Sequence, residues 1–508
     1  MSIMSTRKRR RAGVAVAALA GVGLVAPAAI AAVSPPDDGV TTLVSKAPDG
    51  SWGDKTSTRA RISGDGRFVV YQSAAQNLTT NRGGGPHVYL TDVSGTLFPG
   101  GNNTRLVDAD ATTGARCKTK AGTNGQSTFN EVSNQRGGDG PWVVFASNCS
   151  NLVPGWTHVG DVYIRNMRSG ETRVVSQANG NDGATIDGVS TRPVISDDGR
   201  YVSWNTTSGN IYVRDMSDTS NRRSVRVAAS VSNNDESLRP EISGDGSTIV
   251  FASDARLSPK DTNDSRNIYR VDLSRWQADK SVTSFTYELV DVTSAGIAAP
   301  RPSSRPGIND DGSIISFQSS TNLVADDKNG VLDSYWRNMR TGQTVLLSRG
   351  YDGGVPKGQS SRPQLDGSGY VAAFTSTSNG LVRGDTNGRP DAFIRVMDRS
   401  DPTKGTTYVI SQRPNGDTAG ALDNCAEPAG AAARTAQPVT RAAGIGLDDT
   451  ILTPFARPGK SNVATRPYLS SDAGRVVFVS GMCDLVNPVT DGADNQIYVR
   501  TYGAGGPR

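Results

Sequence analysis

The sequence predicts an all-β protein, a seven-bladed β-propeller of four-stranded antiparallel blades. Three observations predict this fold: a recurring motif, a turn-rich composition, and two chain ends that together complete one blade. The 508 residues include 57 Gly and 26 Pro, and 35% of them are hydrophobic. This composition is typical of short strands joined by tight turns rather than of helices.

The motif is clearest as TRPVISDDGRYVSW from Thr191, and close copies begin at Leu238, Ser304, Ser361 and Thr465. Each copy reads as an apolar strand, a tight turn, and a second strand that ends in an aromatic residue. Weaker copies follow Arg59 and Asn134, which makes seven. Their turns are Asp65-Gly66, Asp139-Gly140, Asp198-Gly199, Asp245-Gly246, Asp311-Gly312, Ser368-Gly369 and Asp472-Ala473.

Further strands complete each unit. A third strand follows each motif, as in IYVRDM from Ile211, and several units add a fourth, as in TRVVS from Thr172. Four strands at a period of about 45 residues are typical of propeller blades. The last unit stops after its third strand, whereas TTLVS from Thr41 has no blade of its own. We therefore expect Thr41–Ser45 to close the last blade, which would pair two otherwise bare edges.

The Ser-x-Asp-Gly turn, followed by apolar residues and an aromatic one, resembles the TolB-type, WD40-like propeller repeat. The matching residues are Ser63, Asp65, Gly66 and Tyr71; Ser196, Asp198, Gly199 and Trp204; and Ser243, Asp245, Gly246 and Phe251. The copies depart from this pattern at Asn309, Asp366, Ser368 and Ala473. The resemblance spans nearly the whole chain after its N-terminal segment. It implies the fold and not the function, because such repeats occur in binding scaffolds and beside hydrolase domains.

The N-terminal segment, residues 1–31, is predicted to be a secretory signal peptide. RKRRR from Arg7 precedes an apolar run from Ala12 to about Val25, and Ala29-Ile30-Ala31 suits cleavage. A membrane anchor is the alternative, for which the run is short. We expect a linker over 32–40, the propeller over 41–502 and a flexible tail over 503–508. The product would be a secreted, extracytoplasmic monomer of the cell envelope, without membrane insertion after cleavage.

Composition also bears on partners and chemistry. The net charge of +5 is carried by the N-terminal RKRRR, so the remainder is near neutral and no nucleic-acid partner is expected. The sequence has no G-x-S-x-G nucleophile elbow, and His87 and His158 are its only histidines. Hydrolase triads and histidine-based metal sites are therefore disfavoured.

The two faces of the ring are predicted to differ. Alternating strands place the short first-to-second and third-to-fourth connections on one face. The second-to-third and blade-to-blade connections lie on the other, which we call the long-loop face. It includes Asp110–Thr128 and an insertion from about Gln412 to Thr465. Function on repeat scaffolds is usually carried by such variable loops, so we expect the site on this face.

An arginine precedes the inner strand in six of the copies. These are Arg59, Arg192, Arg239, Arg305, Arg362 and Arg466. Inner strands line the channel of a propeller, so the six are expected to ring its mouth. Guanidinium groups bind carboxylates bidentately, which predicts an anion or acidic-peptide site. The alternative is that each arginine pairs with an acid of a neighbouring blade and stabilises the ring.

Two further sets of residues are candidates. In an exported chain the four cysteines are expected to pair as Cys117–Cys149 and Cys425–Cys483, one of three possible pairings. Three Asp-x-Asn stretches offer oxygen atoms suited to calcium. They contain Asp261, Asn263, Asp327, Asn329, Asp333, Asp385, Asn387 and Asp391. Asx-turns explain the same residues, and no other cofactor is predicted.

These observations predict a non-enzymatic propeller scaffold that binds a protein or peptide partner at the cell envelope through its long-loop face. The alternative is a secreted carbohydrate-active propeller, a glycoside hydrolase or lyase. Its carboxylates would have to come from distant blades, which sequence spacing does not reveal.

Overall fold

The computed structural model describes residues 39–80, 85–98, 103–135, 139–179, 186–217, 224–229, 235–385, 388–412, 464–482, 485–486 and 495–502. They form seven four-stranded antiparallel sheets, and the first strand of each sheet neighbours that of the next until the last returns to the first. The predicted seven-bladed β-propeller is confirmed. Within the described part of the chain, no helix is long and apolar enough to cross a membrane.

The strands are numbered in chain order. Strand β1 is Val40–Leu43. Blade 1 contains β2–β5: Ser57–Ile62, Phe68–Ser73, His87–Asp92 and Thr104–Leu106. Blade 2 contains β6–β9: Ser127–Val132, Trp142–Ser147, Asp161–Asn166 and Thr172–Val174. Blade 3 contains β10–β13: Ser190–Ile195, Tyr201–Thr206, Ile211–Asp215 and Ser224–Ala228. Blade 4 contains β14–β17: Ser237–Ile242, Thr248–Ser253, Asn267–Asp272 and Glu288–Leu289, with helix α1 at Ser274–Ala278.

The remaining blades follow the same order. Blade 5 contains β18–β21: Ser303–Ile308, Ile314–Ser319, Asp333–Asn338 and Thr344–Leu346. Blade 6 contains β22–β25: Ser360–Leu365, Val371–Ser376, Asp391–Met397 and Gly405–Val409. Blade 7 contains β26–β28, Ala464–Leu469, Arg475–Ser480 and Gln496–Thr501, and takes β1 as its outer strand.

The first strand of the chain closes the ring, as the sequence predicts. Strand β1 pairs antiparallel with β28, with Val40 opposite Thr501 and Leu43 opposite Tyr498. The observed strand is offset by one residue at its start from the predicted Thr41–Ser45. Both ends of the propeller therefore lie in one sheet, which leaves neither as an open edge.

Aromatic residues fill the middle of every blade. The residue near the end of the second strand stands directly opposite an aromatic residue of the third strand, with ring centres 5.6–6.1 Å apart. The seven pairs are Tyr71–Tyr89, Phe145–Tyr163, Trp204–Tyr212, Phe251–Tyr269, Phe317–Tyr335, Phe374–Phe393 and Phe478–Tyr498. Offset pairs of this kind stabilise beyond the area they bury.

The Ser-x-Asp-Gly turns share one hydrogen-bond pattern. In blade 3 the hydroxyl of Ser196 donates to Asp198 at 2.5 Å and accepts the backbone N–H of Tyr201 at 3.0 Å. Blade 6 keeps the bond with its partners exchanged, since the hydroxyl of Ser368 donates to Asp366 at 2.7 Å. Blade 6 departs from the repeat in sequence but keeps the serine-to-aspartate hydrogen bond that stabilises the turn.

Backbone hydrogen bonds between these turns link neighbouring blades at the face opposite the long-loop face, which we call the short-loop face. The donors and acceptors are Asn134 to Asp197, Asp197 to Gly244, Asp245 to Asp310, Asp310 to Gly367, Gly367 to Ser471, and Ser471 to Gly64. The backbone N–H of Asp65 completes the circle by donating to the Asn134 side chain at 2.7 Å. The inner strands are thus fixed relative to one another around the channel.

Arginines of the third strands form a second set of links, which we call the inter-blade arginines. They are Arg165, Arg214, Arg337 and Arg500, and each reaches a residue of the preceding blade. Arg214, which is 1% exposed, donates to the carbonyl oxygens of Val175 at 2.7 Å and Gln177 at 2.5 Å. These guanidinium groups satisfy carbonyl oxygens where the fourth strand of one blade turns toward the next.

Candidate functional site: the central channel

Every inner strand contains a β-bulge that turns one side chain toward the channel. The residue at the bulge has a left-handed backbone in all seven blades. The φ angles are 54° at Arg59, 51° at Phe129, 50° at Arg192, 55° at Arg239, 53° at Arg305, 57° at Arg362 and 55° at Arg466. This conformation is uncommon for residues with a Cβ and costs about 1–3 kcal/mol at each position. Its repetition in all seven blades points to a purpose served by the side chains.

The six arginines predicted from the sequence surround one cavity together with Phe129, and we call this set of seven the arginine ring. The bulge lies near the start of each inner strand, where the chain enters from the preceding blade, so the ring lies toward the long-loop face. Each of the six arginines is partly exposed to the cavity. The cavity has a volume of about 90 Å³.

Phe129 is a ring member that sequence reasoning missed. The guanidinium carbons of Arg59 and Arg192, from the blades on either side, lie 4.2 and 4.4 Å from the centre of its ring. These are cation–π contacts, which hold both arginines in place. Nine residues separate β6 from β7 in blade 2, against five between β2 and β3 in blade 1, so the Asp-Gly pair of blade 2 departs from its usual spacing. The alignment on that turn therefore began at Asn134 and left Phe129 out.

The cavity carries a large excess of positive charge. Of the described residues that line it, seven are arginines and one, Glu241, is acidic. Burial lowers the pKa of Arg362 well below its usual range, and Arg466, Arg305 and Arg239 lower it further. Arginine nonetheless stays protonated in proteins. The like charges are therefore held together by the fold, and an anion between them would lower the electrostatic energy.

A mixed cluster forms the floor of this cavity. Arg61 donates to Glu241 at 2.8 Å, lies 3.2 Å from the Glu131 carboxylate, and stacks 3.9 Å above the ring of Tyr468. These residues come from blades 1, 4, 2 and 7, so the cluster spans the channel. Burial alone would lower the pKa of Arg61, but the two glutamates raise it. Burial raises the pKa of Glu131, although Arg61 opposes that shift.

The Arg61 cluster also escaped the sequence analysis. Each of its four members lies two residues after the ring position of its blade. The residue type at this position varies strongly among the seven blades: Arg61, Glu131, Val194, Glu241, Gly307, Gln364 and Tyr468. Variation of charged residues on an inward-facing strand, within an otherwise regular motif, was the available signal. The repeated ring arginines are easy to recognise in the sequence, whereas the variable residues two positions later are the ones that give this channel its particular charge pattern.

A second, acidic chamber lies below the floor, toward the short-loop face. Glu131, Glu241, Asp197 and Asp310 contribute to its lining. The hydroxyl of Ser471 donates to Asp310 at 3.1 Å, and burial raises the pKa of this carboxyl. Asp197 packs against Gly64, where an added Cβ would lie 2.7 Å from its carboxylate. The channel is therefore polarised, with arginines at the long-loop end and carboxylates at the other.

The residues considered for calcium take part in local hydrogen bonds. Asp261 accepts the hydroxyl of Tyr269 and the backbone N–H of Asn263, the latter at 3.2 Å. Asp327 accepts the hydroxyl of Tyr335 and the N–H of Asn329 in the same arrangement. These are Asx-turns that tie the second-to-third loop to the third strand.

Asp333 and Asp391 begin the third strands of blades 5 and 6. They accept hydrogen bonds from the hydroxyls of Ser348 and Ser411, both at 2.7 Å. Burial raises the pKa of Asp333 to about 6. Asp385 is buried, and Asn387 lies outside the described residues. Calcium binding at these positions stays a prediction.

The predicted disulfide Cys117–Cys149 is confirmed, and it joins the loop entering blade 2 to the end of that blade's second strand. Cys425 and Cys483 lie outside the described residues, as does most of the insertion after Gln412. His87 is buried with its Nδ1 2.8 Å from Asp108, close to Cys117. The sulfur of Cys117 is bonded to Cys149, so it offers no thiolate to a metal. His158 is exposed beside Trp156.

No protein-family model matches this chain, and no curated protein matches it. Among solved structures, the chain is similar to an oligogalacturonate lyase in complex with manganese, at 13% identity and a TM-score of 0.46, over 92% of this chain and 96% of that one. It is also similar to the Dos1 propeller, at 11% identity and a TM-score of 0.44, over 93% and 98% of the two chains. An oligogalacturonate lyase from Vibrio parahaemolyticus matches at 12% identity and a TM-score of 0.42, over 91% and 97%. Similarity at this level reflects the propeller fold alone.

Proposed function

We propose that this propeller is a non-enzymatic binding protein that takes an anionic group of a protein or peptide partner into its arginine ring. The observation that carries the proposal is the lining of the cavity at the long-loop end of the channel, where the described residues include seven arginines and one acid. The body of the partner would rest on the loops around the mouth. The cell envelope is proposed as the location because of the predicted signal peptide.

The channel favours binding over catalysis. Glu241 lines the same cavity as the arginine ring, and both Glu241 and Glu131 interact with Arg61. Glycoside hydrolysis needs two carboxyl groups that flank a bond the substrate can present to them. Here the carboxylates are held by a guanidinium group that crosses the channel. This arrangement supports the binding proposal over the carbohydrate-active alternative.

We also propose that the repeat is of the TolB type. The support is the shared turn, in which Ser63, Ser196, Ser243 and Ser470 each donate a hydrogen bond to the aspartate two residues later. The proposal concerns the ancestry of the scaffold only. It does not bear on the ligand, since one repeat family can present different channel linings.

The binding proposal is tested by capture of partners from envelope extract on immobilised protein. The parent is compared with a triple variant, Arg192→Ala, Arg305→Ala and Arg362→Ala. A matched control, Arg168→Ala, Arg340→Ala and Arg399→Ala, removes the same charge from exposed positions in third-to-fourth turns. We expect a partner that the parent and the control retain and the ring variant loses, with all three proteins equally folded by circular dichroism.

Two other results would count against the proposal. Equal retention by the ring variant would place the contact outside the channel. No partner with any of the three proteins, followed by release of sugars from a glycan panel, would replace binding with the carbohydrate-active alternative.

A further inference from the structure

One polar contact of the repeat changes character in blade 1. It joins the residue that begins the third strand to the residue two places after the fourth strand. In three blades a serine hydroxyl donates to an aspartate at 2.7–2.8 Å: Ser176 to Asp161, Ser348 to Asp333 and Ser411 to Asp391. Blade 1 has His87 and Asp108 at these two places, with His87 Nδ1 2.8 Å from the carboxylate. Serine and aspartate satisfy the fold elsewhere, so the histidine is a departure that the blade does not require.

The histidine has a second nitrogen atom that the described residues leave without a partner. His87 is 0% exposed, and its Nε2 atom makes no hydrogen bond with any of them. A buried polar atom in this state costs free energy. In the tautomer that donates Nδ1–H to Asp108, Nε2 carries a lone pair. A carboxylate on one imidazole nitrogen and a lone pair on the other is the arrangement typical of histidines that bind zinc.

Two sulfur atoms lie beside this histidine. The possible ligand atoms of His87, Asp108 and Cys117 lie within 4.8 Å of one another, and all three residues are buried. The disulfide places the sulfur of Cys149 next to that of Cys117. Gly125 packs directly against both, since a Cβ at this position would overlap the two sulfur atoms. Thiolates and imidazole are the donors that zinc prefers in proteins, so reduction of the disulfide would complete a zinc-binding set.

We propose that the reduced chain binds one zinc ion through His87 and the thiolates of Cys117 and Cys149, with Asp108 orienting the imidazole. The disulfide is first reduced by a dithiol, which passes two electrons and two protons to the protein sulfurs and itself becomes a disulfide. Zn²⁺ then displaces both thiol protons to solvent and binds the two thiolates. Three protein donors leave the fourth position of the tetrahedral ion to a water molecule. Oxidation by a disulfide reverses the exchange and releases the ion.

A reduced state lies on the export route predicted for this chain. Thiols stay reduced in the cytosol, and disulfides form after export. Cys117 and Cys149 would therefore reach the envelope as thiols. The loop that carries Cys117 is exposed over residues 111–115 and 120–124, so an ion can enter when this loop opens. Zinc would then join the same two segments as the disulfide. This inference does not depend on the arginine ring or on the function proposed for it.

Zinc titration of the reduced protein tests the inference. The background carries Cys425→Ser and Cys483→Ser, so that Cys117 and Cys149 supply the only thiols. A phosphine reduces the disulfide without competing for zinc as a dithiol would. Competition with a chromophoric chelator measures the affinity, and Co²⁺ in place of zinc gives the absorption of thiolate ligands. We expect one zinc ion per reduced chain, with release of the two thiol protons, and none per oxidised chain.

The repeat itself supplies a matched variant. Blade 4 begins its third strand with Asn267, so His87→Asn copies an arrangement that this fold already contains. We expect His87→Asn to keep the fold and to weaken zinc binding on the order of hundredfold. His158→Asn removes the other histidine, which is exposed, and should leave the affinity within about twofold of the parent. Zinc should also raise the melting temperature of the reduced parent and not that of the oxidised protein.

Two results would overturn the inference. One is a reduced parent that binds no zinc at one equivalent. The other is an equal affinity of His87→Asn and the parent, which would leave the ion on sulfur alone. If His87→Asn does not fold, Cys149→Ser takes its place, because it removes one ligand and keeps the histidine. Undiminished zinc affinity in that variant would equally rule out the site.

Discussion

The arginine ring and the inter-blade arginines are two repeated sets of the same residue in very different surroundings. Arg214, between blades, is 1% exposed and donates to two carbonyl oxygens. Arg362, in the channel, is partly exposed to the cavity and lies among Arg466, Arg305 and Arg239, whose charges lower its pKa. Carbonyl oxygens accept hydrogen bonds from the guanidinium group of Arg214, whereas the guanidinium group of Arg362 faces other positive charges. A buried charge stabilises a fold only when partners of opposite polarity surround it.

Repetition in the sequence is therefore no guide to the role of a residue. The arginine of IYVRDM recurs in five of the seven copies, and the arginine before the inner strand recurs in six. The surroundings differ: Arg214 donates to carbonyl oxygens of the preceding blade, whereas Arg362 has a strained backbone and lies among Arg466, Arg305 and Arg239, whose charges lower its pKa. Sites that weaken a protein in this way are commonly functional.

Replacing arginine by methionine at Arg214 and, separately, at Arg362 is the strongest test of this comparison, and the larger effect is expected at Arg214. Arg214→Met should lower the free energy of unfolding by about 3 kcal/mol, because the carbonyl oxygens of Val175 and Gln177 lose a charged donor inside the protein. Urea denaturation measures the change. A loss below about 0.5 kcal/mol would show that water replaces the guanidinium group and that the inter-blade set is dispensable.

A pH dependence is expected between the blades. Burial raises the pKa of Asp291 to about 7, and Asp291 lies near the inter-blade residue Arg337. An unfolded aspartate titrates near pH 3.9. The folded protein therefore binds more protons between about pH 4 and 7, and stability falls as pH rises through this range.

Asp291→Asn should remove this dependence and add of the order of 2 kcal/mol of stability at pH 7 relative to pH 4. Asp311→Asn is the control. Burial opposes ionisation there, but hydrogen bonds from Ser313 lower the pKa to about 2, which lies outside the window. Denaturation midpoints measured from pH 4 to 7 decide the matter. A parent whose stability is flat over this range, or a slope that Asp291→Asn retains, would assign the carboxyl of Asp291 an ordinary pKa.

The fold could be predicted almost completely from the sequence, because each blade states its strands, turn and aromatic pair in nearly the same order. The closing strand followed from an incomplete last unit. The positions of the six arginines also followed, since a residue at a fixed place in each repeat must recur at a fixed radius of the ring. Phe129 did not follow, because a longer turn shifted its copy.

The Arg61 cluster was hidden for a different reason. Its contacts join Glu241 to Arg61, which are 180 residues apart and lie in blades 4 and 1. A repeat motif gives the height of a residue along the channel but not which side chains meet across it. Those encounters depend on side-chain length and charge at several blades together, and the sequence gives no pairwise distance between them.

Arg362→Met is the second half of this comparison and tests an arginine that lines the channel. It should raise the free energy of unfolding by about 1 kcal/mol, because it removes one charge from a cluster of like charges and replaces it with a side chain of similar length. The same urea experiment as for Arg214→Met gives opposite signs for one substitution at two sites. A loss of stability at Arg362 would mean that unseen counter-charges already neutralise the ring, and would favour a structural role for it.

The smallest effect concerns the backbone strain that the ring arginines share. Ala473 has φ of 55° at the turn of blade 7, where the other turns have glycine, such as Gly199 with φ of 73°. Ala473→Gly should stabilise the protein by about 0.5–1 kcal/mol, because glycine adopts this conformation without a steric cost. The reverse change, Gly199→Ala, is the control and should destabilise by more, since its Cβ would lie 3.0 Å from Trp142. Thermal melts of the two variants measure what a left-handed residue costs in this fold. The stability gained by Ala473→Gly would measure the conformational cost of one left-handed residue in this fold, and each ring arginine would carry a similar cost. No gain would mean that the fold holds left-handed residues at little cost, and the repeated bulge would then be weaker support for a function of the ring.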